Sequence, residues 1–119
     1  MYDVFMYEER LGIEVPYLEK DWQDYSLNER TSILEKWELM RGRIPAQIAE
    51  FESQIESLQN DLHGEEDWDR SLSIMQQVSD YASRINDLNI LFRTQPDAEP
   101  VQEILHHSPA TDEHHAREK

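Results

Sequence analysis

The chain of 119 residues has no cysteine. A disulfide framework, thiolate catalysis and thiolate metal sites are therefore excluded. Glycine is nearly as scarce, with only Gly12, Gly42 and Gly64. No two of them lie close enough to form a phosphate-cradling loop, and strands joined by tight turns are not expected. No run of even ten residues is uniformly apolar, whereas a membrane-spanning helix takes about twenty. The opening MYDVFMYEER meets an acid at residue 3, with no basic region before an apolar stretch. It does not read as a secretory signal, and the expected location is cytoplasmic. Bases are also few. Eleven lysines and arginines face 26 acids, for a formal charge of −15. Such a charge repels phosphates and anionic lipid surfaces. Neither direct nucleic-acid binding nor membrane binding is expected; a basic protein partner is the more natural counterpart.

What is present is a helical vocabulary with a heptad seam. Trp37, Ile44, Phe51 and Leu58 step by seven, as do Leu34, Arg41, Ile48, Ile55 and Leu62. The two rows interleave at three–four spacing, the signature of a helix packed along one face. Ser26 and Glu29 form a capping-box pair at its start. Gly42-Arg43-Ile44-Pro45 should break a helix, yet the heptad phase runs straight through it. One long helix over 27–62, kinked near Pro45, is expected. His63-Gly64 reads as a left-handed helix stop. The acids Glu65, Glu66 and Asp67 then suit the first turn of a second helix over about 66–93. A connection this short forces an antiparallel hairpin. With facing residues summing to about 129, Leu62 meets Trp68, Ile55 meets Met75, Phe51 meets Val78, Ile44 meets Ile85 and Trp37 meets Phe92.

The expected fold is all-α: this hairpin, an N-terminal segment (1–25) packed on its base, and a disordered acidic, histidine-containing tail (94–119). Within the N-terminal segment, Ile13-Glu14-Val15-Pro16 reads as extended chain because a residue before proline avoids the helical region. Short helices are expected over Met1–Arg10 and from Pro16 to Tyr25. Two helices alone leave apolar surface uncovered, so either residues 1–25 complete a three-helix core or the chain forms a homodimer. In the tail, Val101, Ile104 and Leu105 share one helical face that could dock on an apolar surface.

Three constellations bear on function. The first is the hairpin tip. Between Arg43 and Arg70 lie eight acids and no base; Asp61, Glu65, Glu66, Asp67 and Asp69 cluster at the turn and form the candidate partner-binding surface. They lack the alternate-acid, central-glycine pattern of a calcium loop, so no metal is expected there. The second is a polar cluster at the kink: Arg41, Arg43, Arg84, Asn86 and Asp87. Arg41 or Arg43 is expected to pair with Asp87 and fix the helix register. The third is histidine. His106-His107 and His114-His115 sit in the tail without an ordered third ligand, and His63 suits a helix C-terminus.

The segment Ser83-Arg84-Ile85-Asn86-Asp87-Leu88 resembles the Ser-x-x-x-Asp signature of small helical-hairpin aspartyl-phosphate phosphatases that act on sporulation regulators. The likeness covers a turn and a half of helix and the general hairpin shape. The family has a Glu-Leu-Asp run, whereas Ile85 and Asn86 precede Asp87 here. The resemblance implies a regulator working through an Asp87 exposed in a groove.

No nucleophile, base and oxyanion site can be assembled from Ser71, Ser73, Ser79, Ser83 and His63. Catalytic residues and cofactors are thus not expected. The leading expectation is a non-catalytic acidic protein-interaction or regulatory module. The alternatives are an acidic mimic occupying another protein's nucleic-acid-binding surface and the phosphatase-like regulator.

Overall fold

The structure, a computed structural model, describes residues 4–97. The expectations for Val101, Ile104, Leu105 and the paired histidines lie outside these residues. Two short strands, β1 (Phe5–Glu8) and β2 (Ile13–Pro16), come first, followed by a single 3-10 turn at Trp22–Asp24. Three helices follow: α1 (Leu27–Arg41), α2 (Ile44–His63) and α3 (Trp68–Phe92). The molecule is elongated, 59 × 37 × 19 Å.

The start of α1 follows the sequence reading closely. The Ser26 hydroxyl accepts from the Glu29 backbone N–H at 3.1 Å, and the Glu29 carboxylate accepts from the Ser26 N–H at 2.8 Å. This reciprocal pair satisfies two of the backbone donors a helix N-terminus leaves free. The expected long helix is present and bent. Gly42 and Arg43 keep right-handed helical angles, so the chain stays nearly in phase between α1 and α2. Pro45 has no N–H to give the preceding turn. The Arg43 N–H instead bonds Met40 O at 3.0 Å, a tightened turn that carries the bend. The bend divides the labour: α1 packs on β2, while α2 packs along α3.

Helix α2 ends at His63, but Gly64 has φ −103° and is not in the left-handed region. The turn closes through a Glu65 N–H bond to Leu62 O, and Asp67 caps α3 by accepting from the Arg70 N–H at 2.9 Å. The chain needed no left-handed residue here, because the next helix's own cap redirects it.

The fold is not all-α: strand β1 stands where a helix over Met1–Arg10 is expected, while Ile13–Pro16 is extended as expected. β1 and β2 form an antiparallel hairpin with Met6 opposite Val15 and Glu8 opposite Ile13. Gly12, at φ +77°, is the one left-handed residue among those described. It closes the four-residue loop, donating to Glu8 O at 2.8 Å. A side chain there would also collide with the Gln47 amide. Of the helix expected from Pro16 to Tyr25, only the 3-10 turn forms.

The expected position of this segment, across the open end of the helical hairpin, is correct. Leu11, Ile13 and Val15 enter one core with Trp37, Met40, Ile44, Phe51, Leu88 and Leu91. A satellite cluster of Val4, Tyr25 and Ile33 lies beneath the loop that follows. Lys36 joins α1 to β2 through an ion pair with Glu14 at 3.0 Å. The start of the expected tail also belongs to this base. Thr94 is buried, and its carbonyl accepts the Trp37 indole N–H at 3.0 Å.

Ile44 and Ile85 share the base core, but other facing pairs differ from those expected. Phe51 stacks obliquely on Tyr81, ring centroids 5.4 Å apart, three residues beyond the expected Val78. Trp68, Met75 and Phe92, expected on the inner face, are exposed, and Ile74, Leu88 and Leu91 are buried instead. Helix α3 carries two apolar rows. The row facing inward is set at the base, where Leu88 and Leu91 meet the β-hairpin and Trp37. The helix is rigid, so that choice propagates to the tip.

Candidate functional site

The kink cluster does not form as a unit. Asp87 is only 2 % exposed, yet neither Arg41 nor Arg43 reaches it. Its partner is Arg10, from the β1–β2 loop, whose guanidinium donates to Asp87 Oδ2 at 2.6 Å. The same guanidinium donates to Ser83 Oγ at 2.8 Å. Arg10 thus spans two residues one turn apart on α3 and latches the β-hairpin to the helix. A charge this deeply buried needs such a partner. Arg10 was missed by sequence reasoning because 77 residues separate it from Asp87.

Arg41 instead turns toward the end of α3. It donates to Phe92 O at 2.8 Å and lies 5.0 Å over the Phe92 ring. Arg84 pairs with Asp80 one turn away at 2.6 Å and covers the rings of Phe51 and Tyr81. The Nε atoms of both arginines are buried with no hydrogen-bond partner among the described residues. Arg43 and Asn86 are exposed. The Ser83–Asp87 pair therefore serves as the receiving half of a structural latch. It does not present the open carboxylate that a phosphatase-like site requires.

The acidic tip splits into two kinds of residue. Glu65 and Asp67 shape the turn: Asp67 is the α3 cap, while Glu65 accepts from the Asp67 N–H at 3.1 Å and pairs with Arg70 at 3.2 Å. Asp61, Glu66 and Asp69 are exposed. No group of three or more acids and histidines among the described residues is arranged to hold a metal ion. None of the described helices is long and apolar enough to cross a membrane.

The feature the sequence did not reveal at the tip is apolar. Trp68 is 70 % exposed, and Leu72 and Met75 are each 41 % exposed. Their spacing of four and three places them on one face of α3. On α2, Ile55, Leu58 and Leu62 are only half-buried. Between Phe51 and Asp87, Ile74 alone is buried. Residues 44–79 meanwhile hold eight acids and one base, Arg70. The distal half of the hairpin is thus a two-helix unit with an incompletely covered seam, framed in carboxylates.

The Tyr17 phenol is held above its usual pKa by burial first, then by the charge of Glu8 and the hydrogen bond to it at 3.4 Å. Tyr17 packs against the base core and has no part in the tip. Comparison with protein-family models, with curated proteins and with solved structures found no match.

Proposed function

We propose that the protein is a non-catalytic interaction module and that the distal half of its helical hairpin is the surface that binds a protein partner. The observation carrying this reading is the exposure of Trp68, Leu72 and Met75 on one face of α3 beside a half-covered seam. Isolated exposed apolar residues are ordinary, whereas a contiguous apolar strip rimmed by charge marks a contact surface. Tryptophan is also the side chain most often found to dominate binding energy at interfaces. The acids around the strip give attraction at long range and the apolar residues give contact at short range.

A photo-crosslinking residue at position 72 tests this against the same residue at position 39. Leu39 is 70 % exposed but lies on α1, away from the tip. In cell extract, position 72 should capture discrete proteins that position 39 does not, and the Trp68→Ser variant should abolish the capture. Equal labelling at the two positions would remove the tip as the binding surface.

A further inference from the structure

We infer that the occupant of the exposed α3 face is a second copy of this chain, packed helix against helix in antiparallel orientation; this rests on the interaction reading above and names its partner. The first observation is a second seam, on the outward side of α3. Trp68, Leu72 and Met75 continue at steps of four and three through Ser79, Ala82 and Asn86 to Asn89, and all of these residues are exposed. None carries a charge. The charged residues of α3 are Asp69, Arg70, Asp80, Arg84 and Asp87. At about 100° per residue they occupy about a third of the helix circumference, on the flank that Arg10 latches. The solvent side of a surface helix is ordinarily where charge collects. In α3 the charge lies beside the base layer instead, and the solvent side is a neutral heptad row along the whole helix. Contact along such a row is made by interlocking side chains, and the element that interlocks with it is a helix carrying a neutral row of the same spacing. This chain itself supplies one.

The second observation decides the orientation. Residues 44–79 hold eight acids and one base, Arg70, and every other lysine or arginine of residues 4–97 lies outside this half. Parallel pairing would set two acidic halves side by side, which like charges oppose. Antiparallel pairing sets each acidic half beside the half of its copy that holds those bases. The row is also tapered, from Trp68, Leu72 and Met75 at one end to Ala82, Asn86 and Asn89 at the other. About a two-fold axis between the levels of Ser79 and Ala82, the contacts are reciprocal. Leu72 faces Asn89 of the second copy, Met75 faces Asn86, and Ser79 faces Ala82. Each large aliphatic side chain thus meets a shorter one, and the helices stay evenly spaced. Trp68 comes level with the exposed Arg93 at the end of the second copy's α3, where a guanidinium can cover the indole. One helix pair is a small interface, so the dimer should be reversible and form as concentration rises.

Sedimentation equilibrium of the full chain tests this. The chain should pass from monomer to dimer between about 1 μM and about 1 mM. Ala82→Glu should weaken the dimer at least about tenfold, because it places an unpaired charge in the contact. Gln77→Glu adds the same charge on another face of α3 and should leave the dimer unchanged. Both positions are exposed, so circular dichroism of both variants should show the native helix content. Because the chain has no cysteine, single introduced thiols report the orientation. Mixed Met75→Cys and Asn86→Cys chains should form the mixed disulfide in preference to either self-linked one, and adding Ala82→Glu should abolish it. A chain that stays monomeric to about 1 mM, or a dimer that Ala82→Glu leaves intact, would overturn the inference. Preferential self-linking of Met75→Cys would make the pair parallel and overturn it as well. A monomeric chain that still captures a discrete protein at position 72 would overturn the second copy and leave the interaction reading standing. Equal labelling at positions 72 and 39 would instead remove the reading beneath it.

Discussion

Ile44 and Ile55 lie three turns apart on the same helix, and both are apolar positions of the same heptad seam. Ile44 is fully buried and Ile55 is not. The difference lies in what covers them. At the base, the β-hairpin lays Leu11, Ile13 and Val15 over the α2–α3 seam, and Arg10 fastens it there through Asp87 and Ser83. At the tip there is no third layer among the described residues, and Trp68, Leu72 and Met75 of α3 turn to solvent while Ile74 stays buried. One continuous sequence pattern thus yields a closed core at one end and an open surface at the other.

The largest effect expected from this contrast is on stability. Ile44→Ala should cost about 2–5 kcal/mol, as for other fully buried truncations. Ile55→Ala, partly solvated already, should cost about 1 kcal/mol, because less apolar area leaves water there. Chemical denaturation of the two variants gives the comparison directly. Equal losses would mean that the tip is as closely packed as the base.

Next in size is the latch. Arg10→Met leaves Asp87 buried without its cation, and should cost about 1–3 kcal/mol. The full buried-pair penalty does not apply, because the Arg10 side chain is one-third exposed and solvent screens the pair. Combining Arg10→Met with Asp87→Leu should recover part of that loss. A double variant as unstable as the sum of the single ones would show that the two residues are not coupled.

Much of this architecture was legible in the residues. The heptad rows specified the long helix, the short connection at Gly64 specified its antiparallel pairing with the next helix, and Ser26 with Glu29 specified where α1 begins. The phase carried across Pro45 correctly implied a bent helix, because a chain that turned away would have no reason to keep register. Ile13–Pro16 was legible as extended chain, but β1 and its pairing with β2 were hidden by their brevity: strands of four residues are too short for periodicity to register. Two local signals could have found it. Ile13-Glu14-Val15 alternates, and Gly12 stands where a loop before a strand needs a left-handed residue. The Arg10–Asp87 pair had no local signal at all. At the tip the acids were plain in the sequence, and so was the prospect of uncovered apolar surface, but not that Trp68 and Met75 would carry it. Composition shows that Trp68 and Met75 are apolar; only the packing at Leu88 and Leu91 decides that they face outward.

The smallest expected effect belongs to the base alone. The Tyr17 phenol is raised above its ordinary pKa of 10.0 in the folded chain. The neutral form is therefore favoured by folding. Its contribution to stability is present below the unfolded pKa and is lost as pH rises through the folded one. Alkaline denaturation should accordingly be shallower in Tyr17→Phe than in the native chain between about pH 10 and the raised value. Identical alkaline profiles would mean that the phenol is as free in the folded state as in the unfolded chain.

The contrast between base and tip is tested most directly by residue-resolved amide hydrogen exchange on the free protein. Mid-helix positions avoid the fraying of helix ends, so the informative amides are Ile55–Leu58 and Met75–Val78 at the tip against Trp37 and Ile85–Leu88 at the base. Elements with few buried apolar contacts open locally, below the free energy of global unfolding. The tip amides should exchange by such local opening, at least about tenfold faster than those of the base, which should exchange only with global unfolding. Uniform protection along α2 and α3 would contradict the account, because a hairpin equally stable from end to end would have no open half.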